Sequence, residues 1–361
     1  MILDALLEGT SPGLRAGAAA AVSLAVALGA TPLLARAARR RRFADREGKS
    51  ESELLNQLHQ QKRSTPIVGG LAMLAGTCAG TLLFGAPTAP VALFLGVLLA
   101  LGALGLVDDW TKTFGAARTR GLTARQKLAG QVGVGLVAGG LALAQGWADP
   151  AALERLTTLQ VPFAGWALPI GALGFLALMV LVTTGSSNAV NLTDGLDGLA
   201  GGCALAATAA YTGVALVTGD PALAARAGVV HVPGAEALVV PLAALAGGLT
   251  GFLVYNRHPA RVFMGDAGSL PLGGVLGLVA VLTRQELLLV IVGGVFVAEA
   301  LSVMAQVASF KLTGKRVLRC APLHHHYEFQ GWKETKIVGR FHAAALALAA
   351  LGLVGVGLGA W

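Results

Sequence analysis

The chain is built from apolar stretches of about 20 residues, the length that carries an α-helix across the hydrocarbon core of a bilayer. Ten such stretches lie near residues 16–36, 67–86, 89–107, 128–147, 165–185, 199–218, 237–256, 268–283, 286–308 and 341–361. Composition agrees: of 361 residues 55% are hydrophobic and 13% charged, against about 25% charged in ordinary soluble domains. A soluble globular class is thereby excluded. The 50 glycines, many inside apolar runs, suit helices in close contact within lipid. The expected fold is an all-α integral membrane protein of about ten transmembrane helices, forming one polytopic domain over 1–361. The eighth stretch is short and the ninth contains Glu299, so these two are expected to be tilted, broken or partly interfacial.

Loop charge sets the expected orientation. With the N-terminus outside, the inner loops hold nine Lys/Arg in 36–63, five in 112–127, none in 186–198, two in 257–261 and seven in 311–340. These are 23 of the 27 basic residues, leaving Arg15, Arg155, Arg226 and Arg284 outside. So strong a bias follows the positive-inside rule and supports an even number of spans, with both termini outside. The first span is expected to stay in the protein, because Asp4 and Glu8 precede it and the basic cluster Arg39–Arg42 follows it. Anionic inner-leaflet lipid and an anionic substrate account for the net charge of +8 without a nucleic-acid partner. Cys78, Cys203 and Cys320 are scattered and odd in number, so no disulfide framework is expected.

Five aspartates interrupt this apolar pattern. They lie in Val107-Asp108-Asp109-Trp110, in Asn191-Leu192-Thr193-Asp194-Gly195-Leu196-Asp197-Gly198 and in Phe263-Met264-Gly265-Asp266-Ala267-Gly268, each beside a span and, in the orientation above, on the cytoplasmic side. Acids at a membrane boundary are costly to keep dry, and such a gathering suits a divalent cation and a phosphate substrate. Asp108 and Asp109 could simply terminate the third helix, but acids at a helix C-terminus oppose the macrodipole, which favours a functional role. Asn188, Asn191, Asp194 and Asp197 recur every third residue, as on one stripe of a helix, whereas Gly195 and Gly198 argue for a turn in which backbone approaches a ligand. Asp266 is either an N-cap of the eighth span or a metal ligand, and the two roles are compatible. His324, His325 and His326 are consecutive and would point about 100° apart in a helix, so a three-histidine zinc site is not expected; phosphate or sugar binding by one or two of them is. Glu299 is either a satisfied polar residue at a helix break or functional. Trp110 and Trp332 read as interfacial anchors.

Asp108-Asp109, the segment Asn188 to Ala200, the run Pro259 to Leu270 and the run Ala321 to Glu328 together resemble the phospho-N-acetylmuramoyl-pentapeptide transferases, a branch of the polyprenyl-phosphate N-acetylhexosamine-1-phosphate transferases. The likeness extends from about His59 to Phe341. The aspartate motifs belong to the whole superfamily, whereas Pro322-Leu323-His324-His325-His326-Tyr327-Glu328, with Ser309 to Arg316 before it, points to the muramoyl-pentapeptide branch. The resemblance implies transfer of phospho-MurNAc-pentapeptide from its UDP carrier to undecaprenyl phosphate, giving lipid I and UMP, with Mg2+. It further implies ten transmembrane helices, a multi-pass location in the bacterial cytoplasmic (inner) membrane and a homodimer.

Carried over by position, Asp108 resembles the residue that acts on the lipid phosphate, with Asp109 beside it, and Asp266 the magnesium ligand. His325 is counted with these as catalytic. Phe263 resembles the aromatic that stacks on uracil, with Lys62, Asn256 and Asp197 as neighbours of the nucleoside. Thr65, Lys112, Lys127, Asn191, Asp194, Gln306, His324 and His326 complete the implied substrate cleft. The chain departs from the family pattern after Lys112, where Thr113 to Ala117 replace further lysines and leave Arg118, Arg120 and Lys127 to meet phosphate, and at Ser64, Ile67 and Val68. No acid is lost. A sister transferase using UDP-GlcNAc would share the aspartates but lack the histidine run. A transporter would place its ionisable groups nearer mid-membrane than in loops on one face.

Overall fold

The structure is a computed structural model that describes residues 11–41, 43, 65–114, 121–146, 150–161 and 166–357. In chain order the helices are α1 (Pro12–Arg41), α2 (Gly69–Phe84), α3 (Ala89–Phe114), α4 (Ala124–Gly146) and the short α5 (Pro150–Leu156). An antiparallel hairpin of β1 (Thr158–Val161) and β2 (Trp166–Pro169) follows, with Thr158 opposite Pro169 and Val161 opposite Trp166. Then come α6 (Gly171–Thr193), α7 (Leu199–Gly219), the short α8 (Pro221–Ala227), a 3-10 turn (Ala235–Leu238) leading into α9 (Val239–Asn256), and α10 (Asp266–Leu282). The chain closes with α11 (Leu288–Val292), α12 (Gly294–Thr313), α13 (Leu323–Glu328) and α14 (Glu334–Gly357).

Eight of these helices are long and apolar enough to cross a membrane, and α2 and α10 are shorter apolar helices of 16 and 17 residues. Together they occupy the ten stretches read from the sequence, and the protein is an all-α integral membrane protein. The short eighth stretch finds its reason in α10. All 17 of its residues are buried, packed chiefly on α3 and α6. Glycines make this approach possible: a Cβ at Gly273 would run into the Ser186 backbone, and one at Gly277 into the Ser186 hydroxyl. The ninth stretch is broken at Gly293, between α11 and α12.

Among the boundaries that differ from the sequence reading, three stand out. The third helix does not stop before the acids but continues through Asp108 and Asp109 to Phe114. Its polar tail stays helical because Lys112, four residues after Asp108, lies on the same face and neutralises it. The fifth span begins at Gly171, not near 165, since Trp166–Pro169 pairs as a strand; an apolar run so short carries no period that separates strand from helix. The last span begins at Glu334, earlier than expected, and carries Lys336 and Arg340 within its first turns.

The acid-bearing ends of α3, α6 and α10 meet at one end of the bundle, together with the start of α4. Near the other end of α10, buried Arg284 pairs with Glu286 at 3.1 Å and donates to the Thr158 carbonyl, tying the hairpin to the helix end. At the acid end Phe43, Trp110 and Phe114 form an aromatic group with ring centroids 4.7 to 6.2 Å apart. Trp332 stacks on Tyr327 at 4.7 Å, under Lys336 and Arg340. Both tryptophans thus lie beside the polar face, where an amphipathic ring is stable.

Candidate active site

Asp266 is the first residue of α10, and its position is set by the residue before it. Gly265 has φ +72°, a conformation that favours glycine, and a Cβ there would stand 2.6 Å from Asp109 Oδ2. Gly265 has no side chain to cap the helix, so the cap comes from another helix. Asp109, at the end of α3, accepts the backbone N–H of Asp266 at 3.2 Å and of Ala267 at 3.0 Å. Gly105, one turn earlier on α3, lies so close to the Asp266 carbonyl that a Cβ would collide with it. A carboxylate at a helix N-terminus satisfies donors that have no partner within the helix and sits well in its dipole.

Asp108 and Asp266 share two cations. Lys112 Nζ lies 2.6 Å from Asp108 Oδ2 and 3.0 Å from Asp266 Oδ2; Lys127 Nζ, from the first turn of α4, lies 2.9 and 2.6 Å from the same two atoms. The second Asp108 oxygen accepts the Leu122 N–H at 2.7 Å. The second Asp266 oxygen accepts from Asn191 at 2.8 Å, whose amide also donates to Ser269 at 2.8 Å. Three buried carboxyl groups and two ammonium groups share this centre. Oxygens of Asp108, Asp109 and Asp266 lie within 4.8 Å of one another, close enough to hold a metal ion. Carboxylate oxygens are hard donors, the class that magnesium prefers, so the donor set fits. The ammonium groups already fill the cation role between Asp108 and Asp266.

The stripe from Asn188 to Asp197 divides between helix and turn. Asn188 and Asn191 are on α6, where Asn188 donates to Gln131 at 2.9 Å and Gln131 to Ser187 at 2.9 Å. Asp194 and Asp197 lie in the turn before α7, which ends at Gly198 with φ +80°. Asp194 is half-buried. Burial, and then the nearby carboxylates of Asp266, Asp109 and Asp197, push its carboxyl up to about 7.

A second polar group surrounds Asp197. Its carboxylate accepts the Ala260 N–H at 3.0 Å and stands 3.1 Å from His258 Nδ1, while Glu334 accepts the Asp197 N–H at 2.7 Å. Asn256 accepts from the Gly198 N–H at 2.9 Å and donates to the Val262 carbonyl at 2.9 Å, locking the turn to the segment that leads to Asp266. Phe263 is half-buried, and its backbone pairs with Pro66 at 2.8 Å and Gly69 at 2.9 Å, which brings the Thr65 segment beside it. Lys62, Arg118 and Arg120 lie outside the described residues.

The histidines separate. His324 is fully buried, 3.2 Å from Glu299; His325 Nδ1 stands 2.6 Å from Glu328; His326 accepts the Arg319 N–H at 3.1 Å and meets Gln330 at 2.7 Å. Gln306 spends its amide on the loop after α12, accepting from Val317 at 3.0 Å and Leu318 at 2.9 Å and donating to the Leu318 carbonyl at 3.0 Å. The structure therefore brings Asp108, Asp109, Asp266, Lys112, Lys127 and Asn191 into one centre and Asp197, Asn256 and Phe263 onto its flank. It adds His258, Glu334 and Gln131, which the sequence reading did not single out. Their partners are 56 to 137 residues away, and nothing local marks them.

The family model described as glycosyl transferase family 4 matches residues 90–284, which include all five aspartates. The phospho-N-acetylmuramoyl-pentapeptide-transferase of Moorella thermoacetica is 47% identical over 297 residues, 82% of this chain and 85% of that protein. That of Neisseria meningitidis serogroup A is 46% identical over 299 residues, 82% and 81% of the two chains. That of Geobacillus thermodenitrificans is 44% identical over 340 residues, 93% and 96% of the two. An acid centre built from three helix ends, and relatives that match it over most of their length, make the chain a member of the phospho-N-acetylmuramoyl-pentapeptide transferase family.

Proposed function

We propose that the protein transfers phospho-MurNAc-pentapeptide from UDP-MurNAc-pentapeptide to undecaprenyl phosphate in the bacterial cytoplasmic membrane, giving lipid I and UMP. The observation that carries this reading is the pair Lys112 and Lys127, each shared by Asp108 and Asp266 at the end of the bundle where α3, α4, α6 and α10 meet. Both reactants are anionic, so a site for them needs cations held in place, and carboxylates hold these two. A lipid phosphate oxygen forms the new bond to the sugar-linked phosphorus as the bond from that phosphorus to the UMP oxygen breaks. The lipid monoester is already largely ionised near pH 7, since second phosphate pKa values lie around 6. Asp108 then orients the phosphate through the shared ammonium groups and takes any remaining proton.

Asp266, with Asp108 beside it, would hold Mg2+, which supplies charge neutralisation at the transferred phosphoryl group. Lys112 and Lys127 release part of their hold on the carboxylates to meet phosphate oxygens. The Asp197 and Asn256 lattice, with Phe263, offers a flat apolar ring beside polar groups, suited to a uracil base. On this reading His325, on α13, meets the sugar or its phosphate. A homodimer belongs to this reading through the family resemblance.

The test is a choice of substrate. Purified protein with undecaprenyl phosphate and Mg2+ is offered UDP-MurNAc-pentapeptide or UDP-GlcNAc, and UMP release is measured. Release from the first alone is expected; release from UDP-GlcNAc instead, or from neither, overturns the proposal.

A further inference from the structure

Glu299 lies inside the bundle on α12, six residues into the helix, and is fully buried. A lone carboxylate there is costly unless it is paired. Its partner is His324, also fully buried, whose Nδ1 lies 3.2 Å from Glu299 Oε1. The His324 backbone N–H donates to the same oxygen at 3.1 Å, so one carboxylate fixes both the ring and the start of α13. Nδ1 stands at ion-pair distance but makes no hydrogen bond among the described residues, so the bond that joins the two residues is the one from the His324 backbone.

The opposite edge of the ring meets Gly195. A Cβ at Gly195 would collide with the imidazole, at Nε2 first. This explains a glycine in the middle of the turn between α6 and α7. Among the described residues no hydrogen-bond partner reaches either ring nitrogen of His324, so the contact of the ring with Gly195 is packing. The turn carries Asp194 at one side and Asp197 at the other. Just before it, on α6, Asn191 donates to Asp266 at 2.8 Å. His325 packs on His324 with ring centroids 4.1 Å apart, so the same ring also sets its neighbour. His324 is fully buried, and what it touches is the support of the acid turn.

We propose that Glu299 is a positioning residue for transfer. It orients His324, and the His324 ring sets the height of the Gly195 turn and thereby the placement of Asn191 and Asp194 at the Asp266 centre. The proposal rests on the transferase reading above.

The test uses wild-type UMP release as reference; a wild-type protein without activity refutes the transferase reading and not the pairing. Glu299→Gln keeps an acceptor for the His324 backbone N–H and should hold turnover within about threefold, whereas Glu299→Leu should lower kcat about 10- to 100-fold with both KM values little changed, as small misplacements do. Gly195→Ala should show a similar loss, because its methyl meets the ring. His324→Asn keeps a polar group near the Nδ1 position and removes the far edge of the ring. Gly195→Ala combined with His324→Asn should therefore match His324→Asn alone. If the combined variant loses the product of the two single losses, the ring does not support the turn and the proposal fails. It fails as well if Glu299→Leu raises KM and leaves kcat intact. Should Glu299→Leu not fold, the Gly195 and His324 cycle decides.

Discussion

Asp109 accepts the backbone N–H of Asp266 at 3.2 Å, so the second acid of the Asp108-Asp109 pair serves as the cap of a helix 157 residues away in sequence. The two neighbouring acids therefore have different duties: Asp108 faces the lysines and Asp109 faces the α10 backbone. Asp109→Ala should lower stability by about 1–2 kcal/mol, the usual worth of a lost N-cap, and Asp109→Asn by less, since an amide oxygen still accepts. Thermal unfolding in detergent checks this. Equal melting temperatures for wild type and Asp109→Ala would show that the capping bonds contribute nothing.

Asp266→Asn should abolish transfer while the protein still folds, because an amide is a poorer ligand for a hard dication and a weaker partner for two ammonium groups. Removal of Mg2+ with a chelator should stop UMP release by the wild type, and added Mg2+ should restore it. Near wild-type turnover of the variant at ordinary Mg2+ would leave Asp266 as a structural residue.

Asp194 gives a pH signature. Its carboxyl is raised from 3.8 to about 7 by burial and by the acids around it, so the protonated form is the one the fold favours. The stabilising effect of that proton is complete below about 3.8 and is lost as pH rises through about 7. Asp194→Asn, which carries no charge at any pH, should gain melting temperature over the wild type progressively between pH 5 and pH 7, and the gain should level off above about pH 8. A difference that stays constant from pH 5 to pH 8 would contradict the raised value.

The orientation is open to labelling. Cysteine in place of Lys315 should react with an impermeant reagent only from the cytoplasm, and cysteine in place of Arg226 only from outside. Labelling of both from one side would break the ten-span arrangement that the distribution of 23 of 27 basic residues requires.

Much of this protein is legible in the chain because lipid is a demanding solvent. Apolar length and Lys/Arg placement mark the spans from 16–36 to 341–361 without any knowledge of packing, since each span must satisfy its own backbone and each flank meets either headgroups or water. The acids stand out for the same reason: Asp108, Asp109, Asp194, Asp197 and Asp266 interrupt a sequence that otherwise avoids charge. Tertiary structure alone decided how those acids divide their work. That Asp109 caps α10, that Lys127 joins Lys112 between Asp108 and Asp266, and that His324 turns inward to Glu299, all depend on contacts between segments distant in sequence. The same holds for the end of α3. An apolar run ends at Val107, but the helix continues to Phe114 because Lys112 on its own face and Lys127 from the next helix neutralise Asp108, and only the first of these charges is written in local sequence.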